Sequence, residues 1–319
     1  QPPVLEGQIL RGENATYTVN GELIDEAEYG IIFAGNLYVR VLAHDGRLVM
    51  VDIPAQGVKA VNADYMGMAL NENMEALGGV SEDFLIPSGE VTLAGTLTLP
   101  EGSGPFPAVL LNSGSGPQDR DGNTPPGFMT NMFKLMSEHF SELGIAVLRY
   151  DERGVGESTG DYNEATFHDL VDDVRALVAF LKEHPSIDTE RIVVLGHSEG
   201  ASIVSLIASE DPELAGVILL GGPSLPLDEI MIEQLEYQAS LDFLSDAERQ
   251  MIAALIPQTE QVLADARAGK SESVMPINLE WLRQHMAFDP KATISKVEKP
   301  VLIVHGAEDL KVRPYHAQA

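Results

Sequence analysis

The chain has 319 residues, 44% of them hydrophobic, so it is long enough for one large globular domain with an additional module. Its 49 acidic and 20 basic residues give a formal net charge of −29, which would repel a polyanion and excludes nucleic acid as an expected partner. The absence of cysteine excludes disulfides, thiolate nucleophiles and cysteine-ligated zinc, and no apolar run reaches the ~18 residues of a membrane-spanning helix. These features leave the localisation open between a secreted or periplasmic and a cytoplasmic protein.

Residues 1–80 are predicted to form a β-rich N-terminal module. Apolar residues alternate on both sides of Asp45-Gly46 over residues 36–54, which is a strong hairpin signal, and Asn20-Gly21 marks another turn. The segment 62–79 is ambiguous and is interpreted as a short helix and a linker. The module carries no chemistry of its own and could serve docking or oligomerisation, so the oligomeric state is not predicted.

Residues 81–319 have the pattern of an α/β domain. A hairpin pattern that turns at Ser88-Gly89 is followed by short apolar strands alternating with amphipathic helices. The predicted strands cover residues 107–112, 145–151, 192–196, 215–222 and 300–306, and the predicted helices cover residues 129–144 and 167–184. This order predicts a mostly parallel sheet covered by helices on both faces.

Residues 225–290 interrupt this alternation with helices alone, and we interpret them as a helical cap insertion. One of these helices begins with a capping box, in which Ser245 is followed three residues later by Glu248. The methionines and leucines of the segment, together with Trp281 and His285, could line an acyl pocket, but helix packing would require the same residues.

Ser198 is the candidate nucleophile. It lies in Gly196-His197-Ser198-Glu199-Gly200, directly between a β-branched strand and a run of small helix formers. A serine in this context stands on a tight strained turn with its hydroxyl above the sheet, and the flanking glycines let the turn approach its neighbours. The helix that begins at Glu199 also directs unpaired N–H groups toward developing negative charge.

The loop at residues 112–122 is the candidate source of the second oxyanion donor. Its glycines let the backbone approach a substrate, so the Ser115 N–H is predicted to act beside that of Glu199, with Gly116 as the near alternative. The acidic residues of this loop are similar to the start of a calcium loop, but position six is Thr124 rather than glycine and position twelve is Thr130 rather than glutamate. No metal or cofactor is therefore predicted.

The acid of a catalytic triad is expected after the serine in the chain. Asp309 follows the last predicted strand, at the carboxyl edge where sheet enzymes of this type collect catalytic groups, and Glu308 is the neighbour that could be mistaken for it.

Four separated motifs carry a family resemblance. The stretches SGSGPQDRDG, YDERGVGES, GHSEG and PVLIVHGAED together resemble the bacterial α/β-hydrolase esterases, close to the serine-aminopeptidase and dienelactone-hydrolase-like groups and to esterases with an extra N-terminal domain. The resemblance covers residues 81–319 and implies an α/β-hydrolase fold. It also implies Ser198 as nucleophile, Asp309 as acid, Ser115 and Glu199 as oxyanion donors, and control of substrate choice by the cap.

The family pairs its serine with a histidine near the C-terminus, and here the sequence departs from the pattern. Only ten residues follow Asp309, whereas a crossover to a further parallel strand takes about a dozen or more. His316, which is expected in the first turn of a crossover helix, and His305, inside a predicted strand, are poor candidates for the base; so are His197, which points elsewhere, and His139, on a packed helix. We therefore expect that the final strand and helix are missing, that the catalytic histidine lies beyond Ala319, and that this chain alone has little esterase turnover.

The predicted function is a metal-independent serine hydrolase that cleaves small-molecule carboxylic esters of short to medium acyl chains. Hydrolysis of amides or peptides is the alternative within enzymes. A catalytically silent protein that keeps the fold and binds a ligand is the alternative from another class.

Overall fold

The computed structural model describes residues 7–19, 22–33, 37–44, 47–53, 58–61, 69–70, 79–124 and 130–319. The contacts between Cα atoms divide the chain into two units, Gln1–Leu77 with Asn123–Asn131 and Gly78–Gly122 with Met132–Ala319. The boundary between residues 80 and 81 stays a prediction.

The N-terminal unit contains an antiparallel six-stranded sheet. Its strands are β1 (Gly7–Val19), β2 (Glu22–Phe33), β3 (Leu37–His44), β4 (Arg47–Ile53), β5 (Val58–Val61) and β6 (Ala69–Leu70), in the order β5-β4-β3-β2-β1-β6. β3 and β4 form the predicted hairpin, and the turn residues Asp45-Gly46 and Asn20-Gly21 lie outside the described residues. The helix predicted within 62–79 is wrong at Ala69–Leu70, because these residues pair with the edge of β1; most of that segment lies outside the described residues.

The second unit is built on a seven-stranded sheet. Its strands are β7 (Gly79–Ser88), β8 (Val91–Pro100), β9 (Phe106–Asn112), β10 (Ala146–Tyr150), β11 (Ile187–His197), β12 (Gly216–Leu220) and β13 (Val301–Val304). They lie in the order β13-β12-β11-β9-β10-β8-β7. β8 is antiparallel to both of its neighbours, β7 and β10, whereas β10, β9, β11, β12 and β13 are mutually parallel, as predicted.

Helices cover both faces of this sheet because alternate side chains of each strand point to opposite faces. On β9, Leu110 packs with helices α2 (Phe167–Glu183) and α3 (Glu199–Glu210), whereas Leu111 packs with α1 (Met132–Glu142). In α1, Phe133 is buried, as its spacing predicts, but Leu143 is 63% exposed because the helix ends before it.

The segment between β12 and β13 is helical, as predicted for residues 225–290. It contains α4 (Leu227–Ala239), α5 (Asp246–Ala253), α6 (Leu255–Arg267), α7 (Leu279–Met286) and α8 (Pro290–Ile294). The capping box of Ser245 and Glu248 is present at the start of α5. α6 and α7 share a separate apolar cluster that includes Leu263 and Leu282, so the insertion has a small core of its own. Within the described residues, no helix is long and apolar enough to cross a membrane.

Candidate active site

Ser198 occupies the turn between β11 and α3. Its φ of 54° and ψ of −117° are unusual for a residue with a side chain, and such strain persists only where the surrounding structure enforces it. The Ser198 N–H donates to Leu220 O on β12 at 2.9 Å, and the Ser198 carbonyl accepts from Ala201 N at 3.0 Å. The turn is therefore held from both the sheet and the helix.

The glycines on either side of Ser198 are required by close backbone approach. A Cβ atom at Gly196 would lie 2.1 Å from Gly200 O, and a Cβ atom at Gly200 would lie 2.2 Å from Ser113 O. A Cβ atom at Gly114 would lie 3.1 Å from the Ser198 Cβ, so the loop after β9 lies directly against the serine. Steric crowding therefore explains why each of these three positions is a glycine.

The loop after β9 brings Ser115 to the same cavity as Ser198 and Glu199. The Gly116 N–H donates to the Tyr162 hydroxyl at 3.0 Å, so this alternative donor already has a partner. Ser115, the other candidate in the loop, lines the cavity beside Ser198.

The motif YDERGVGES has a positioning role that the sequence did not reveal. The carboxylate of Glu152 accepts hydrogen bonds from Ser113 Oγ at 2.7 Å and from Gln118 N at 2.9 Å, on either side of Ser115 in the loop after β9. Burial raises the pKa of Glu152 well above its ordinary range. Its neighbour Asp151 accepts from the backbone and the guanidinium of Arg120 at 2.8 Å and 2.6 Å. Burial alone would raise the pKa of Asp151, but these hydrogen bonds, with one from Glu157 N, lower it.

The acidic residues of the loop at 112–122, which resemble the start of a calcium loop, are bound by other groups of this chain. Asp121 forms an ion pair with Arg149, and the Asp119 carboxylate accepts from Asp121 N at 2.9 Å. In the described part of the chain, no group of three histidine, aspartate or glutamate residues is arranged to hold a metal ion.

Asp309 lies just after β13, near the turn that carries Ser198. Its Oδ1 accepts from Lys311 N at 2.8 Å and from Val312 N at 3.0 Å, which fixes the carboxylate. Burial lowers the pKa of His197, and the negative charge of Asp309 opposes that shift, so the two side chains are close enough to interact. Glu308, by contrast, is exposed.

The structure gives the poor histidine candidates other partners. His316 lies in a 3₁₀ helix, where Ser224 N donates to its Nδ1 at 3.1 Å and Glu233 Oε2 lies 3.4 Å from its Nε2. His305 Nε2 lies 2.7 Å from Val312 O. The side chain of His139 is 68% exposed, contrary to the packed position expected for it. Across the residues that the structure describes, no histidine ring hydrogen-bonds the Ser198 hydroxyl, and the base stays unassigned.

The cavity beside Ser198, which we call the acyl cavity, has a volume of about 220 Å³. Apolar side chains supply most of its wall: Leu225, Leu227, Ile230, Met231, Phe288 and Val312. Trp281 and His285 of α7 line it as well, and they also pack in the core, where Trp281 adjoins the apolar clusters and His285 stacks on Phe167. The buried carboxylate of Glu199 accepts from Trp281 Nε1 at 3.0 Å and lies 3.2 Å from His285 Nδ1. The sequence did not reveal this role of the Glu199 side chain, because its partners are more than 80 residues away in the chain.

Comparisons with known proteins agree with this geometry. Residues 129–319 match the family described as serine aminopeptidase, S33. The chain is 33% identical over 220 residues to the esterase EstD of Thermotoga maritima, an alignment that covers 69% of this chain and 50% of that protein. It is 28% identical over 144 residues to the esterase FrsA of Klebsiella pneumoniae, covering 44% of this chain and 31% of that protein. The chain therefore spans half or less of these two relatives.

Solved structures show the same fold at low sequence identity. An esterase of Pyrococcus furiosus superposes with a TM-score of 0.52 and 19% identity, covering 78% of each chain. A hypothetical protein of Pseudomonas aeruginosa gives a TM-score of 0.51 and 18% identity, covering 75% of this chain and 81% of that one. With the mostly parallel sheet and its helices on both faces, these likenesses establish the α/β-hydrolase fold.

Proposed function

Because the chain belongs to the serine aminopeptidase S33 family of α/β-hydrolases, we propose that it is a serine hydrolase that cleaves carboxylic esters of short to medium acyl chains. The observation that carries the proposal is Ser198 on a strained backbone, beside a cavity that it shares with Ser115 and Glu199. The esterase names of two relatives support the same reaction class.

In this mechanism the Ser198 hydroxyl attacks the ester carbonyl while a base accepts its proton. The carbonyl oxygen becomes negatively charged and is stabilised by the N–H groups of Ser115 and Glu199. The alcohol then leaves with a proton, and water attacks the resulting acyl-enzyme and releases the acid and free Ser198. Asp309, whose carboxylate is held by two backbone N–H groups, is the acid that would orient an imidazole base.

Hydrolysis of amides at a free amino terminus is the second candidate. The buried Glu199 carboxylate in the cavity wall favours it, because a carboxylate there can pair with an ammonium group. The family description, which names an aminopeptidase, points the same way.

The test compares Ser198→Ala with Ser209→Ala in protein expressed from its complete gene. Ser209 is on the same helix, where its hydroxyl bonds the Leu206 carbonyl, and it does not line the acyl cavity. We expect Ser198→Ala to lower hydrolysis of p-nitrophenyl butyrate by roughly 10⁴-fold and to abolish fluorophosphonate labelling, as loss of a triad nucleophile does elsewhere.

Ser209→Ala should retain wild-type turnover and labelling. A loss below tenfold in Ser198→Ala would contradict the nucleophile assignment. Faster cleavage of an aminoacyl p-nitroanilide than of the ester would favour the amidase, and a folded protein with neither activity would favour the silent binding protein.

A further inference from the structure

A second and larger cavity adjoins the acyl cavity. This polar cavity, as we call it, has a volume of about 940 Å³ and extends between the segments 162–166 and 269–281. Its wall is mixed, but polar groups make up a larger share of it than of the acyl cavity's wall; they include Asn163, Glu164, Thr166, Lys270, Ser271 and Glu280. The acyl cavity has only about a quarter of that volume and an apolar wall, so the two spaces suit different parts of one substrate.

Ser115 and Trp281 line both cavities. Ser115 supplies a candidate oxyanion donor, and an ester carbonyl bound there has its acyl chain on one side and its alcohol on the other. Since the junction of the two cavities lies where the carbonyl would lie, each half of an ester has its own space.

The indole of Trp281 is fixed at this junction. Its Nε1 donates to the buried Glu199 carboxylate at 3.0 Å, and its ring meets the His285 ring edge-on with centroids 5.4 Å apart. The helix that carries it begins at the cap residue Asn278, whose Nδ2 donates to Ala165 O at 2.9 Å. A large ring held at several points is a wall rather than a mobile side chain.

Resting on the function proposed above, we propose that Trp281 divides the active site into an acyl compartment and a leaving-group compartment. The preferred substrates are then esters that join a short acyl group to a bulky, polar alcohol such as a sugar.

The sizes and the chemistry of the two compartments agree with this substrate class. The acyl cavity holds about seven groups of the ~30 Å³ that a water molecule occupies, which suits a short alkyl chain. The polar cavity lies near the upper end of the roughly 300–1,000 Å³ range of small-molecule sites. In its wall, the Tyr162 hydroxyl accepts from Gly116 N and keeps its own proton to donate. A tyrosine hydroxyl is protonated at neutral pH even at its ordinary pKa of 10.0, and burial raises the pKa of Tyr162 further.

The first experiment measures kcat/KM for p-nitrophenyl esters from acetate to octanoate in the wild type, Trp281→Phe and Trp281→Ala. The wild type should prefer the short esters. Removing the indole joins the two cavities. Trp281→Ala should therefore raise the ratio of kcat/KM for the octanoate ester to kcat/KM for the butyrate ester by about tenfold, which is the scale of pocket effects on alkyl groups. Trp281→Phe keeps a ring at the junction and should shift that ratio by less than about threefold. An unchanged ratio in a folded Trp281→Ala protein would overturn the proposal.

The second experiment leaves Trp281 intact and narrows the polar cavity instead. Ser271 is exposed and lines only the polar cavity, so Ser271→Trp should lower the ratio of kcat/KM for 6-O-acetylglucose to that for methyl acetate by at least about fivefold. The control is Val274→Trp in the same loop, because Val274 is 70% exposed and lines neither cavity; it should leave the ratio unchanged.

Equal ratios in Ser271→Trp and the wild type would overturn the assignment of the polar cavity to the alcohol. This failure is distinguishable from failure of the proposed function, since hydrolysis would still depend on Ser198. Hydrolysis that persists in Ser198→Ala would instead remove the basis of both proposals.

Discussion

Gly200→Ala tests whether the nucleophile turn depends on close backbone approach. A Cβ atom at Gly200 would lie 2.2 Å from Ser113 O and 2.6 Å from Asn112 O. Both oxygens belong to backbone at the end of β9, so ordinary van der Waals distances are restored only if the helix moves away from the sheet by more than about 1 Å.

The expected loss of stability follows from two opposing effects. Overpacking a tightly packed site costs typically about 1–3 kcal/mol, and contacts this short place Gly200→Ala at the upper end. Replacing glycine by alanine in a helix returns at most about 1 kcal/mol. The net destabilisation is therefore about 2 kcal/mol, which lowers the urea midpoint by roughly 0.7 M if m is near 3 kcal/mol/M.

The hydrolytic activity of Gly200→Ala should fall by more than its loss of stability alone would cause. A displacement of this size moves the Glu199 N–H relative to the loop after β9, and misplacement on the scale of about 1 Å costs about 10²-fold in rate. Trp281 is the only tryptophan of the chain and lies in the active-site unit, so its fluorescence follows unfolding of that unit directly.

Gly144→Ala is the matched control. Gly144 has a φ of +82° with open space where a Cβ would lie, so alanine there is penalised only by the left-handed conformation, at about 1–2 kcal/mol. This variant should lose stability and keep full activity. A Gly200→Ala protein with a urea midpoint within 0.2 M of wild type and wild-type turnover would refute the steric argument.

Three ionisable groups give further tests. Burial raises the pKa of Glu152 in the folded protein above the ordinary value of 4.5. The stability that this group contributes is therefore complete below pH 4.5 and is lost as the pH rises through the higher folded pKa. In Glu152→Gln, the urea midpoint should depend less on pH over this range. Arg153→Ala leaves the buried carboxylate of Asp173 without its cation and should cost about 3–5 kcal/mol in the same assay, whereas a loss below 1 kcal/mol would contradict the pairing. Asp309→Asn removes the charge that raises the pKa of His197, so an NMR titration should show a lower value than in wild type; an unchanged or higher value would contradict their proximity.

Local patterns were sufficient to predict the sheet and the nucleophile turn. Short apolar strands alternating with amphipathic helices specify a covered parallel sheet, and the glycines at 196 and 200 report a turn too crowded for any side chain. The same reasoning failed at Ala69–Leu70, because a two-residue strand depends on the edge it pairs with rather than on its own residues.

The order of residues along the chain therefore predicted the mostly parallel covered sheet, the turn that carries Ser198 and the loops that carry Ser115 and Asp309, since each leaves a pattern in neighbouring residues; the α/β-hydrolase fold itself was implied by the family resemblance. Only the tertiary structure decided that Glu152 holds the loop after β9 through Ser113, and that Glu199 holds Trp281 between two cavities. Glu199 and Trp281 are 82 residues apart and belong to elements with no common pattern. Such contacts arise when the cap helices pack against the sheet, which no local periodicity specifies.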